Sequence, residues 1–320
     1  MKYDVTALGE LLIDFTHNGV SGQGNPVFEA NPGGAPCNVL SMLSRFGHKT
    51  AFIGKVGNDM FGRMLAEAIA ECGIDAGALR FDEEVSTTLA FVHKLENGDR
   101  DFSFYRNPGA DMMLRAEEIP ESVIAQSKIF HFGTLSMTHP GVAEATKRAI
   151  SLAEENRVIR SFDPNLRPPL WKDLEDAKKA VHYGLAHCDI LKISDNEIQW
   201  LTGETDFTAG VHALRSEFDI PLILVSMGPD GSRAYTKDLM VEVPAQINPD
   251  TIETTGAGDT FCACVLHDVL ENGLANFTKE RLERMLTLAN AAASLVTTRR
   301  GALRVMPTPE EIVAYMNTRA

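Results

Sequence analysis

Ala51-Phe52-Ile53-Gly54-Lys55-Val56-Gly57-Asn58-Asp59-Met60-Phe61-Gly62-Arg63-Met64-Leu65-Ala66-Glu67-Ala68-Ile69-Ala70-Glu71-Cys72-Gly73 reads as a strand running into a helix. Ala51–Ile53 is a short apolar run with β character. From Asn58 onward Phe61, Met64, Leu65, Ala68, Ile69 and Cys72 fall on one helical face, with Asn58 or Asp59 as the cap and Gly73 as the stop. The same alternation recurs along the chain. Val5–Leu8, Ile129–Phe132, Val158–Phe162, Ile190–Ile193 and Leu222–Val225 are further apolar runs separated by helical patterns. Strand–helix alternation over this length predicts a mainly parallel sheet covered by helices on both faces.

Two regions interrupt that rhythm. Val27–Ala30, and the pair Thr88–His93 and Asp101–Tyr105 around Asn97-Gly98, predict a small antiparallel element, since Asn-Gly favours a tight hairpin. Such a ribbon must pack on the main body or on another subunit. At 320 residues the chain suits one large domain. A formal charge of −14 argues against nucleic acid or an anionic membrane as partner. The five cysteines lack metal-ligand spacing, no apolar run reaches transmembrane length, and Met1–Val5 starts a strand; a cytoplasmic protein is the expectation.

The chemistry concentrates after the strands. Gly9-Glu10, Asp163-Pro164-Asn165, Ser194–Glu197 and Ser226-Met227-Gly228 each follow a core strand, so they are expected to meet in one crevice at the carboxyl end of the sheet. In Glu253-Thr254-Thr255-Gly256-Ala257-Gly258-Asp259-Thr260-Phe261, two glycines and an aspartate open a helical pattern that Gly273 stops. A helix start with glycines offers bare N–H groups to an anion, and the helix terminus favours Asp259 in its charged form. Read alone, Asp259 is first of all a helix cap. In Asn31-Pro32-Gly33-Gly34-Ala35-Pro36-Cys37-Asn38 the glycines fit a tight turn into a helix, or a backbone approached by a polyol with Asn38 serving its hydroxyls. Neither a P-loop nor a Gly-x-Gly-x-x-Gly after the first strand is present.

Taken together, Gly33–Asn38 near the start and Thr254–Asp259 near the end resemble the paired signatures of the PfkB, or ribokinase-like, carbohydrate kinases. Gly9–Asp14, Gly54–Gly62, Leu201–Gly203, Val225–Gly231 and Arg299–Ala302 are similar to further landmarks, so the likeness spans the chain. Phe104–Asp111 and Asp163–Trp171 look most like bacterial fructokinases, with ketodeoxygluconate and aminoimidazole riboside kinases as relatives.

The resemblance implies a three-layer α/β/α fold in a single domain over 1–320, with a β lid from insertions near 12–35 and 86–109 that pairs two subunits. It implies phosphoryl transfer from MgATP to D-fructose, or to ketodeoxygluconate or a riboside in the alternative. A sugar-binding relative without catalysis is the reading from another class, against which Gly258, Asp259 and Glu197 all stand.

Carried over residue by residue, Asp259 is the base, and the N–H groups of Gly256, Ala257, Gly258 and Asp259 form the anion hole. Asp14, Gly33, Gly34 and Asn38 bind sugar hydroxyls, joined by Arg106 from the lid and by Asn165 and Arg167 from the strand end; surface ion pairs are the other account of the arginines. Ser194, Ser226, Gly228, Gly231 and Asn290 border ATP, and Glu197 holds Mg²⁺ through water. Ser194 replaces the family's asparagine. A K⁺ site would lie near Glu253, Thr255, Val296, Arg299 and Gly301, where Glu253 replaces the usual aspartate and Val305 a frequent serine.

Overall fold

The computed structural model describes residues 1–94 and 100–318. The Asn97-Gly98 turn lies outside the described residues.

The first half of the chain runs β1 (Tyr3–Leu8), β2 (Leu12–Val20), β3 (Pro26–Gly33), α1 (Ala35–Arg45), β4 (Thr50–Gly57), α2 (Met60–Glu71) and β5 (Ile74–Asp82). Next come β6 (Leu89–Lys94), β7 (Arg100–Tyr105), α3 (Glu121–Ala125), β8 (Ser127–Gly133), α4 (Pro140–Glu155) and β9 (Ile159–Asp163). The second half holds α5 (Leu174–Ala186), β10 (Ile190–Ser194), α6 (Asp195–Thr202), α7 (Phe207–Arg215) and β11 (Leu222–Ser226). It closes with β12 (Ser232–Tyr235), β13 (Met240–Val243), α8 (Ala257–Asn272), α9 (Lys279–Val296) and α10 (Pro309–Asn317).

Nine strands form one sheet in the order β13-β12-β11-β10-β9-β8-β1-β4-β5. All its pairings are parallel except β11–β12 and β12–β13. The strand sequences explain the layers. In β11, Leu222 and Leu224 enter the core shared with α1, α2, α8 and α9, whereas Ile223 and Val225 enter the core shared with α4, α5, α6 and α7. A strand buried on both faces therefore reads as an unbroken apolar run, and the α/β/α fold follows.

Ala51–Gly73 folds as its pattern dictates, the end of β4 running into α2. Asp59 caps α2 by accepting a hydrogen bond from Gly62 N at 2.8 Å, which decides between the two candidate caps. A second sheet, ordered β3-β2-β6-β7, is built from Leu12–Val20, Pro26–Gly33, Leu89–Lys94 and Arg100–Tyr105. Phe15, Phe28, Phe91 and Tyr105 pack against one another on it, and Phe15 meets Phe61 of α2 edge-on at 5.7 Å, tying the small sheet to the body.

The chain leaves β1 in two directions, toward β4–β5 on one side and β8–β11 on the other. That reversal opens a crevice beyond the carboxyl ends of β1 and β8. Among the described residues no helix is long and apolar enough to cross a membrane.

Candidate active site

The crevice is built first by glycine. A Cβ on Gly33 would stand 2.2 Å from Asp14 Oδ2, and one on Gly34 would stand 2.4 Å from the Glu10 carbonyl. Gly34 also has φ +126°, a conformation that L side chains rarely adopt. Only this pair lets the backbone between β3 and α1 lie against Asp14 and Glu10. Glu10 is buried, and its Oε1 accepts from Ala35 N at 2.9 Å. Burial pushes its pKa up to about 7, opposed by hydrogen bonds from its own and the Ala35 backbone. Glu10, Pro36, His131, Thr134, Asp163 and Asn165 line a small pocket between β1, β8 and β9.

Helix α8 closes the crevice. Its N-cap is Gly256, in the left-handed region at φ 77°, and the cap uses no side-chain hydrogen bond. Asp259 is therefore not the cap. Its Oδ2 instead accepts from Asn38 Nδ2 of α1 at 2.7 Å across 221 residues of sequence. Asn38 is buried and its Oδ1 has no hydrogen-bond partner among the described residues, an acceptor left for a hydroxyl donor.

Burial raises the pKa of Asp259, against the Asn38 hydrogen bond and the charges of Lys192 and Arg167. The expectation that Asp259 is held in its charged form is thus corrected: burial is the largest influence on it and favours the protonated carboxyl. Ala257 N already donates to Thr254 O at 3.2 Å, so it is the most committed of the four expected anion donors. Gly258 and Asp259 lie in the first turn, where N–H groups have no intrahelical acceptor.

Lys192 completes this group, and the motif reading overlooked it. It is buried on β10, with Nζ 3.0 Å from Asp163 Oδ2. A Cβ on Gly258 would come within 3.2 Å of the same Nζ, so the ammonium stands beside the start of α8. Burial raises Asp163 to about 6, with Lys192 opposing and the carboxylates of Glu197 and Asp259 adding to the rise. Lys192 stays charged because Asp163, Glu197 and Asp259 surround it, outweighing its desolvation. One sequence signal was present: a lysine inside the apolar run Ile190–Ile193.

Farther along the strand ends the expected nucleotide residues are brought together, though several are already engaged. Ser194 and Glu197 form a reciprocal capping box on α6. Glu197 Oε1 also accepts from Leu166 N at 2.7 Å. Ser226 ends β11 directly beside Ser194 in register. Gly231 has φ +104°, and a Cβ there would strike Val243 O at 2.2 Å; Gly228, at φ +54°, opens the same turn. Asn290 is buried and fully engaged, donating to Val243 O and Pro244 O at 3.1 Å and accepting from Ser232 Oγ at 2.9 Å.

The two arginines differ. Arg106 is buried, with donors to Asp111 at 2.7–2.8 Å, Thr138 Oγ1 at 2.7 Å and Leu135 O at 3.0 Å. It clamps β7 to the body rather than reaching freely into the crevice. Arg167 is partly buried, bonds only Leu166 O at 3.2 Å in the described contacts, and its charge acts on Asp259. Asn165 holds φ +45°, its N–H on Asp163 Oδ1 at 3.2 Å. Near the start of α8, Glu253 Oε1 accepts from Gly301 N at 2.8 Å, and Val296 O accepts from Arg299 N at 3.0 Å.

Comparison with known proteins matches the profile described as pfkB family carbohydrate kinase to residues 2–309. The chain belongs to that family. This carbohydrate kinase is 38% identical to a probable fructokinase-2 of Arabidopsis thaliana over 314 residues, 98% of this chain and 95% of the other. It is 37% identical to fructokinase-1 of Zea mays over 97% of this chain and 96% of that one. A fructokinase of Xylella fastidiosa with bound ATP superposes with a TM-score of 0.91 at 30% identity, over 100% of this chain and 99% of the other. A Vibrio cholerae O395 fructokinase double mutant, in a form with fructose, ADP and potassium ion, gives 0.88 at 29% identity and 98% coverage of both. In this pfkB-family kinase, then, the crevice that holds Asn38, Asp259 and Lys192 is the place to look for phosphoryl transfer.

Proposed function

We propose that this chain is an ATP-dependent fructokinase, converting D-fructose and MgATP to fructose 6-phosphate and MgADP. The observation that carries the reading is the 2.7 Å hydrogen bond from Asn38 to Asp259, which joins the sugar-side helix to the anion-binding start of α8. The fructokinase relatives over nearly the whole chain support the choice of sugar.

Asp259 accepts the proton of the attacking hydroxyl, and its raised pKa makes it a better base than an exposed aspartate. Asn38 aims its carboxylate, while Oδ1 of Asn38 and the Asp14 carboxylate take sugar hydroxyls beside Gly33 and Gly34. The N–H groups of Gly256 through Asp259, with Ala257 the least available, and the Lys192 ammonium balance charge on the phosphoryl oxygens. Arg167 and Asn165 face the same space from the end of β9, and Arg106 holds the small sheet in place. Ser194, Ser226, Gly228, Gly231 and Asn290 frame the nucleotide end. When bound, Mg²⁺ neutralises phosphate charge; Glu197 would hold it through water, since a carboxylate retains lone pairs beyond its capping bonds. K⁺ would sit where Glu253 ties Gly301 to the start of α8, near Thr255 and the carbonyls of Val296 and Arg299.

The chain forms a single catalytic domain over 1–320, with residues 12–35 and 86–109 as a lid that excludes water from the transfer. Val20 and Tyr105, each 66% exposed, with Val27 and Phe28 give that lid an apolar outer edge suited to a second copy. A reducing compartment such as the cytoplasm suits its five free cysteines. Phosphorus NMR of the product made from fructose and MgATP tests the reaction: a primary phosphate ester on carbon 6 is expected, and ATP left intact beside fructose would overturn it.

A further inference from the structure

At the far end of the two helices that carry Asn38 and Asp259 lies a cluster the kinase reaction does not use. His48 follows α1, and His267 and Glu271 sit one turn apart on α8. His48 Nε2 and His267 Nδ1 are 2.8 Å apart, and one donor atom from each of the three residues lies within 4.8 Å of the others. Tetrahedral ligands at about 2.0–2.1 Å from a metal stand roughly 3.4 Å from one another, inside that span.

The surroundings hold the rings as a metal site requires. The Phe46 ring stacks on His267 at 4.1 Å with 1° between planes, fixing the ring's orientation. Asp4 Oδ2 lies 3.9 Å from His48 Nδ1, too far for a hydrogen bond but near enough for its charge to favour a bound cation. Asp4 is itself anchored by Lys128 Nζ and Lys49 N, both at 2.8 Å. Glu271 is exposed and free to swing inward.

We infer that His48, His267 and Glu271 form a binding site for a divalent first-row transition metal such as Zn²⁺, which staples the segment after α1 to α8. Two imidazoles and a carboxylate suit Zn²⁺ rather than Mg²⁺. The proton shared in the histidine pair moves to the other nitrogen of its ring, so no charge is stranded. If His48 is the donor, that nitrogen faces Asp4.

The test uses the full-length protein stripped of metal and returned to buffer with saturating Mg²⁺, which keeps any Mg²⁺ at the kinase crevice constant. Zn²⁺ is titrated by calorimetry and its effect on the melting temperature recorded, with Co²⁺ as the spectroscopic probe. One Zn²⁺ per chain, a higher melting temperature and an intense tetrahedral Co²⁺ absorption are expected. His48→Gln and His267→Gln, tested separately in case one fails to fold, should each weaken binding by at least 10-fold, as should Glu271→Gln. No Zn²⁺ binding by the wild-type protein, or unchanged affinity in the histidine variants, would overturn the site. Affinity that survives Glu271→Gln would overturn the three-ligand set.

Discussion

Burial governs the carboxyl groups of the crevice more than their charged neighbours do. Glu10 shows this most clearly, because its folded pKa of about 7 stands above the ordinary 4.5. A carboxyl raised in this way contributes its stability in full below about pH 4.5 and loses it as pH rises through about 7. The shift corresponds to about 3 kcal/mol. Glu10→Gln keeps an oxygen for Ala35 N, so its melting temperature should fall less than that of wild type between pH 5 and pH 8; equal falls would remove Glu10 as the cause. Asp259 titrates in the same direction, so the acid limb of the pH–rate profile should lie above the range of a solvated aspartate. Asp259→Asn keeps the shape and should lower kcat by about 100- to 10,000-fold with little change in melting temperature. Lys192→Met should cost about 100-fold in kcat. It should also push Asp163 above its present value of about 6, because the main charge opposing that rise is gone.

The helix starts are where sequence and structure meet most closely. Gly34→Ala places a methyl group against the Glu10 carbonyl at a positive φ, so it should destabilise the fold by about 1–3 kcal/mol, readable as a lower denaturant midpoint. The layered fold was legible because Ile190–Ile193 and Leu222–Val225 are apolar on both faces, and because Asp59 and Gly73 punctuate α2. Gly256 and Gly258 likewise marked the start of α8. Less legible were β5, where Gly77 and charged residues dilute an edge strand, and the four-residue strands β12 and β13, too short for a period-two signal. Side-chain engagement was not legible at all. That Arg106 pairs with Asp111, that Asn290 holds β12 and β13, and that Asn38 meets Asp259 are long-range or rotamer-dependent facts no local pattern carries. Lys192 was visible only as a charge in an apolar run, and its meaning required seeing Asp163 on the neighbouring strand.

At the scale of the whole molecule the small sheet and the nine-stranded sheet have different tasks. The large sheet gathers scattered residues at one switch point; the small one carries Val20, Val27, Phe28 and Tyr105 at its surface, the edge through which we propose that two copies pair. Phe28→Asp combined with Tyr105→Ser should shift the protein to a monomer by light scattering, while an unchanged mass would separate the lid from assembly. Above this stands the choice of sugar, which the Asn38–Asp259 pair alone does not make. ADP release measured over D-fructose, ribose, ketodeoxygluconate and a nucleoside, with MgATP saturating, tests it most directly. For this chain kcat/KM for fructose should exceed that for each of the others by at least about 10-fold, equivalent to about 1.4 kcal/mol of transition-state discrimination. Fructose turned over no faster than ribose, ketodeoxygluconate or the nucleoside would contradict it.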